Sequence, residues 1–101
     1  MFGLIGKLKT HPGQRDVLVG HLLNAANILQ ELDGRYLYVI SAATDDPDTV
    51  WITEAWRSQA DHQESLTHDA VKALIASARP LLAEAPDGFE VIPLGGKGLP
   101  R

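Results

Sequence analysis

Residues 50–83 read VWITEAWRSQADHQESLTHDAVKALIASARPLLA, and the change of period inside this stretch decides the fold. About Thr49 to Arg57 reads as a strand, with Val50, Ile52 and Trp56 on one side and Trp51 and Ala55 on the other. Ser58 then reads as a helix cap with Asp61 three residues on, the spacing of a capping box. A helical region follows to about Ala83, with a break near Thr67 as a second cap. Pro80 lies late in it and lacks the N–H its turn needs, so a kink or an early end is expected there.

Working outward, residues 2–10 alternate as a strand, with Phe2, Leu4, Gly6 and Leu8 on one face and His11-Pro12-Gly13 ending it. Leu18, Leu22, Ala25, Leu29 and Leu32 then repeat at helical spacing, predicting a helix from about Gln14 to Leu32 that lies on a sheet. Gly34 is placed to close it. Residues 35–43 read as a second strand with Tyr36, Tyr38, Ile40 and Ala42 facing one way. The polar turn Asp45–Asp48 joins it to the third strand as a hairpin. Ala85–Gly88 is a further turn, Phe89–Leu94 a fourth strand, and residues 95–101 a flexible tail.

The order is β-α-β-β-α-β with a split second helix, which predicts an α+β fold of ferredoxin-like type in one domain spanning residues 1–94. Helices cover one face of such a sheet, yet both faces carry apolar residues. The uncovered face therefore predicts a homodimer joined sheet to sheet.

Composition narrows the functions. The chain has 101 residues, 45% of them hydrophobic, and a net charge of -4 with its nine Lys and Arg scattered, which excludes a nucleic-acid-binding role. No cysteine is present, so disulfides, thiolate nucleophiles and cysteine-held metals are excluded. The N-terminus has neither a basic leader nor a long apolar run, and no stretch approaches the ~20 residues of a membrane span, so a soluble, cytoplasmic protein is expected.

The residues able to do chemistry concentrate in the quoted stretch. Glu54 and Trp56 share a strand face: they either line a pocket, with the acid raised in pKa by apolar surroundings, or are a surface carboxylate and a core ring. His62 and His68 are candidate bases, because imidazole titrates near neutral pH, or are simply exposed. Their six-residue gap does not put them on one helix face and is not metal-ligand spacing, so no metal is expected. His21 lies beside the first helix's apolar stripe, as a core histidine or one reaching a cavity between helix and sheet. Tyr38 shares its face with Tyr36 and could present a hydroxyl to a pocket or a partner. Arg79, before Pro80, suits the end of a helix dipole. Gly95–Gly98 lacks the spacing of a phosphate loop, and no serine stands in a nucleophile-elbow setting.

Trp51–Trp56, Ser58, His62–Leu66 and Ala78–Leu82, with the opening strand ending in Pro12-Gly13 before a long helix, resemble the antibiotic-biosynthesis monooxygenase domain, including its small stand-alone quinol-monooxygenase-like members. The resemblance implies a homodimer of the dimeric α/β-barrel type, with a pocket between each sheet and its helices. It implies oxidation of a small aromatic molecule, such as a phenol, quinol or anthrone, by dioxygen as co-substrate without flavin, haem or metal. Carried onto this chain, Trp56 would be a flat wall, His62 or His68 the base and Glu54 an orienting neighbour, with Tyr38 and Arg79 in supporting places. Haem-degrading relatives carry Asn, Trp and His where Gly6, Ser65 and Ile75 stand here, so haem degradation is not expected. Many relatives also have a histidine near Ser65, which would leave the base either missing or displaced to His62. A ligand-binding protein without turnover, and an isomerase or cyclase using the same pocket, are the competing readings.

Overall fold

A computed structural model describes residues 1–100. The elements run β1 (Phe2–Lys9), α1 (Arg15–Ile28), β2 (Arg35–Ala42), β3 (Thr49–Trp56), α2 (Gln59–Ser65), α3 (Asp69–Ala78), a single 3-10 turn (Arg79–Leu81) and β4 (Asp87–Val91). The strands form one antiparallel sheet in the order β2-β3-β1-β4, the ferredoxin-like α+β arrangement expected from the sequence. No described helix is long and apolar enough to cross a membrane.

Register explains how the core forms. Phe2 pairs with Trp56, Leu4 with Glu54, Gly6 with Ile52 and Leu8 with Val50, so these side chains share the helix-covered face. From α1, Leu18 and Leu22 meet Val50 and Ile52, and Ala78 of α3 joins them. Leu18 and Val50 have no solvent exposure, and burial of each contributes about 1.5–3 kcal/mol. Helices cover this face alone. Ile5, Leu37, Val39, Trp51, Phe89 and Val91 fall on the opposite face by the same register, with Val39 43% and Phe89 60% exposed.

Several local expectations are corrected. The first helix ends at Ile28, four residues before the apolar stripe does. Beyond it, tight turns take over: Leu32 N–H donates to Leu29 O and Arg35 N–H to Leu32 O. Leu29 and Leu32 keep the inward period without the helix, and both line the cavity described below. The break in the second helix is capped by His68, in extended conformation, rather than Thr67, whose hydroxyl donates back to Glu64 O. Pro80 ends α3 as expected, the chain tightening into the 3-10 turn. The fourth strand lies two to three residues earlier than predicted, leaving Ile92 and Leu94 exposed beyond it.

Two local devices set α2 against the sheet. Ser58 Oγ accepts the Asp61 N–H at 3.1 Å, the expected cap. Asp61 in turn accepts two hydrogen bonds from the Arg57 guanidinium, at 2.8 and 2.9 Å. Gly34, at φ +80, sits directly beneath: a Cβ there would lie 2.7 Å from Asp61 Cγ. Glycine is therefore required both by the left-handed turn and by the close approach of α2.

Candidate functional site

Between the covered sheet face and the helices lies a cavity of about 460 Å³. Its walls are largely aliphatic, from Leu22, Leu29, Ile52, Leu66, Leu74 and others. Glu54, Trp56, His62, Tyr38 and Arg35 all contribute to its lining. Chain geometry gathers them. Glu54 and Trp56 are two apart on β3, Tyr38 is the cross-strand partner of Glu54, and Arg35 that of Trp56.

Glu54 is the most constrained of these groups. Its carboxylate accepts a hydrogen bond from Trp56 Nε1 at 3.0 Å. His62 Nε2 lies 3.9 Å from the same oxygen, with the His62 and Glu54 side chains only 18% and 14% exposed. Burial pushes the Glu54 carboxyl above its ordinary value, while the indole N–H and the charges of His62 and Arg35 act against that shift. The Tyr38 phenol is raised to about 12, first by burial and then by the neighbouring Glu54 charge, with Arg35 opposing. The imidazole of His62 is held between rings: 5.4 Å from Phe2 and 5.5 Å, edge to face, from Trp56. A 3.9 Å imidazole–carboxylate separation is a small adjustment away from a hydrogen bond, and catalytic contacts commonly tighten only when substrate binds. This end of the cavity can take a proton from a ligand and stabilise it between two groups.

The sequence candidates divide here. Glu54, Trp56, His62, Tyr38 and Arg79 line the cavity. His68 does not: it is the extended cap of α3, and its carbonyl accepts from Val71 and Lys72. His21 is neither a core residue nor a cavity residue. It is exposed, in a shallow groove between α1 and α3 with Asn24, Ile28 and Ser77, because the burying face of α1 runs through Leu18, Leu22 and Ala25. Arg79 is an exposed residue where α3 passes into the 3-10 turn, and it contributes to the cavity lining.

Two residues were missed by sequence reasoning. Phe2 reaches His62 because it is the β1 partner of Trp56, a fact that only strand register supplies. Arg35 enters through a β-bulge between Arg35 and Leu37, which breaks the alternation of β2. Tyr36 and Tyr38 consequently do not share the pocket face; Arg35 takes that place beside Tyr38. Among the described residues no cluster of His, Asp and Glu is arranged to hold a metal ion.

The fold is a ferredoxin-like sheet with a cavity under its helices, and a carboxylate and an imidazole lie together in the cavity lining. The chain belongs to the antibiotic biosynthesis monooxygenase family, whose model matches residues 1–77. Solved structures agree. A protein from Chloroflexus aurantiacus, named for this family, is 40% identical with a TM-score of 0.86, over 98% of each chain. A Nitrosomonas europaea protein of unknown function is 27% identical with a TM-score of 0.81, over 99% of this chain and 94% of that one. Rv0793 from Mycobacterium tuberculosis, 19% identical with a TM-score of 0.84 over 95% and 97%, shares the fold. No curated protein sequence matches the chain.

Proposed function

We propose that this protein is a cofactor-independent monooxygenase that oxidises a small electron-rich aromatic molecule, a phenol, quinol or anthrone, with dioxygen as co-substrate. One observation carries the proposal: an apolar cavity of about 460 Å³ whose lining holds the Glu54–His62 pair, 3.9 Å apart, against the Trp56 indole. The volume suits a ring system of a few fused or substituted rings.

For an anthrone-like substrate the reaction balances without an external reductant: the ring methylene and one molecule of dioxygen become a ring ketone and one molecule of water. His62, with Glu54 beside it, removes a proton from the activated carbon and leaves a delocalised carbanion. The anion passes one electron to dioxygen, and the two radicals couple to form a C–O bond and a peroxide anion. That anion takes the proton back from His62. The remaining C–H bond and the O–O bond then break, releasing water and leaving the ketone. The protein supplies a largely apolar cavity, a flat wall and a base with a carboxylate beside it.

The test is oxygen uptake with a panel of anthrones and hydroquinones. Wild type should consume oxygen with at least one, His62→Ala should lower the rate by about 10²-fold or more, and His68→Ala should leave it within twofold. Absence of uptake across the panel, or equal losses in both variants, refutes the proposal. Product formation under anaerobic conditions would instead identify an isomerase or cyclase, and ligand stabilisation without turnover a binding protein. We propose in addition that the open sheet face joins two copies of this chain, because it leaves the apolar Val39 and Phe89 exposed on the same face as Ile5, Leu37 and Trp51.

A further inference from the structure

We propose that Arg35 is an anion anchor in the cavity and that the aromatic ligand carries a carboxylate that pairs with its guanidinium. This deepens the reading above, since it rests on the cavity being the ligand site. Three observations place the anchor. The bulge in β2 turns Arg35 to the pocket face, as the cross-strand partner of Trp56. Its guanidinium lies 4.0 Å over the Tyr38 ring, and Nη1 donates to Leu29 O at 3.1 Å. Those two contacts hold the side chain in one pose, so little conformational entropy remains to be lost when a ligand binds.

The third observation is the lack of a counter-ion. Among the described residues Arg57 pairs with Asp61 and Asp33, and Arg15 donates to the carbonyls of Ala43 and Asp46, while Arg79, also on the cavity lining, is exposed to solvent where Arg35 is half-buried. No carboxylate among them makes an ion pair with Arg35, although it is half-buried and faces a largely apolar cavity. The Leu29 bond uses one donor of five, and leaves the fork available for a bidentate carboxylate. Glu54 is the cavity's internal negative charge near it, already engaged with Trp56 and displaced along the sheet to the register of Tyr38. Such a site prefers an acidic aromatic over its neutral analogue.

The Leu29 bond also closes the end of α1, so a merely structural Arg35 is the rival explanation. Ligand charge separates the two. Binding of 2-naphthoate and 2-naphthol to the whole protein at neutral pH would be measured calorimetrically, with a tricyclic pair, anthracene-2-carboxylate and 2-anthrol, alongside. Wild type should prefer the carboxylate of each bound pair by about tenfold to a hundredfold. Arg35→Gln should abolish that preference while leaving the affinity for the neutral alcohol within threefold, and Arg35→Lys should restore part of it. Equal weakening of acid and alcohol in Arg35→Gln, or no preference in wild type, overturns the anchor. Failure of wild type to bind either carboxylate also overturns it. Binding is read without turnover, so an anchor that holds while oxygen uptake fails refutes the monooxygenase reading alone.

Discussion

Replacing Trp56 by Phe tests whether the indole N–H holds the Glu54 carboxylate in its charged form. Trp56 is 2% exposed and donates to Glu54 at 3.0 Å. The substitution removes that donor and shrinks the ring. Shrinkage should cost about 1–2 kcal/mol at any pH. The lost hydrogen bond depends on pH, because it contributes about 1.5–3 kcal/mol to an ionised acceptor and about 0.5–1.5 to a neutral one. The difference, roughly 1–1.5 kcal/mol, corresponds to about one further unit of upward shift in Glu54. The sign follows from proton binding. Glu54 is already raised above its unfolded value, so the native state holds a proton the unfolded state has released, and this group's contribution falls as pH rises through that window. A larger shift deepens that fall. Urea denaturation of both proteins at pH 4 and pH 7 should therefore show a Trp56→Phe penalty that grows with pH, by up to about 1–1.5 kcal/mol once the folded carboxyl has ionised. Penalties equal at the two pH values within about 0.3 kcal/mol would refute the claim that this bond stabilises the carboxylate.

The Tyr38 phenol, raised to about 12, should ionise well above a solvent-exposed tyrosine when followed by tyrosinate absorbance. Glu54→Gln should lower that transition while leaving it above the ordinary value, since burial is the larger cause; an unmoved transition would remove Glu54 from the account. Because the folded state keeps this proton longer, stability should fall as pH rises from 10 toward about 12. Sedimentation of wild type should give twice the 11.0 kDa chain mass, and Phe89→Asp should give the single-chain mass; a monomeric wild type would refute dimerisation through the open face.

Legibility followed the range of the interactions. Some caps and turns made within a few residues were readable, as with Ser58 and Asp61 or Pro80 after α3, whereas the cap expected at Thr67 falls one residue later, at His68. The stripe Leu18, Leu22, Ala25 was readable because a helix exposes one face to one environment. The histidines were not separable in this way. His62 and His68 look alike in sequence, and the decision between them rests on the break after Ser65, which leaves one facing Glu54 and makes the other a helix cap.

Alternating strands, an inward helix stripe and the strand–helix order together determined an α+β ferredoxin-like fold, and put Glu54 and Trp56 on one face, because period and chirality are local properties of the chain. Only the tertiary structure decided which groups meet there. The pairing of Phe2 with Trp56, and the bulge that exchanges Tyr36 for Arg35, are set by inter-strand register. Register is fixed by the packing of the whole sheet against its helices, where a slip of one residue would move every side chain to the other face.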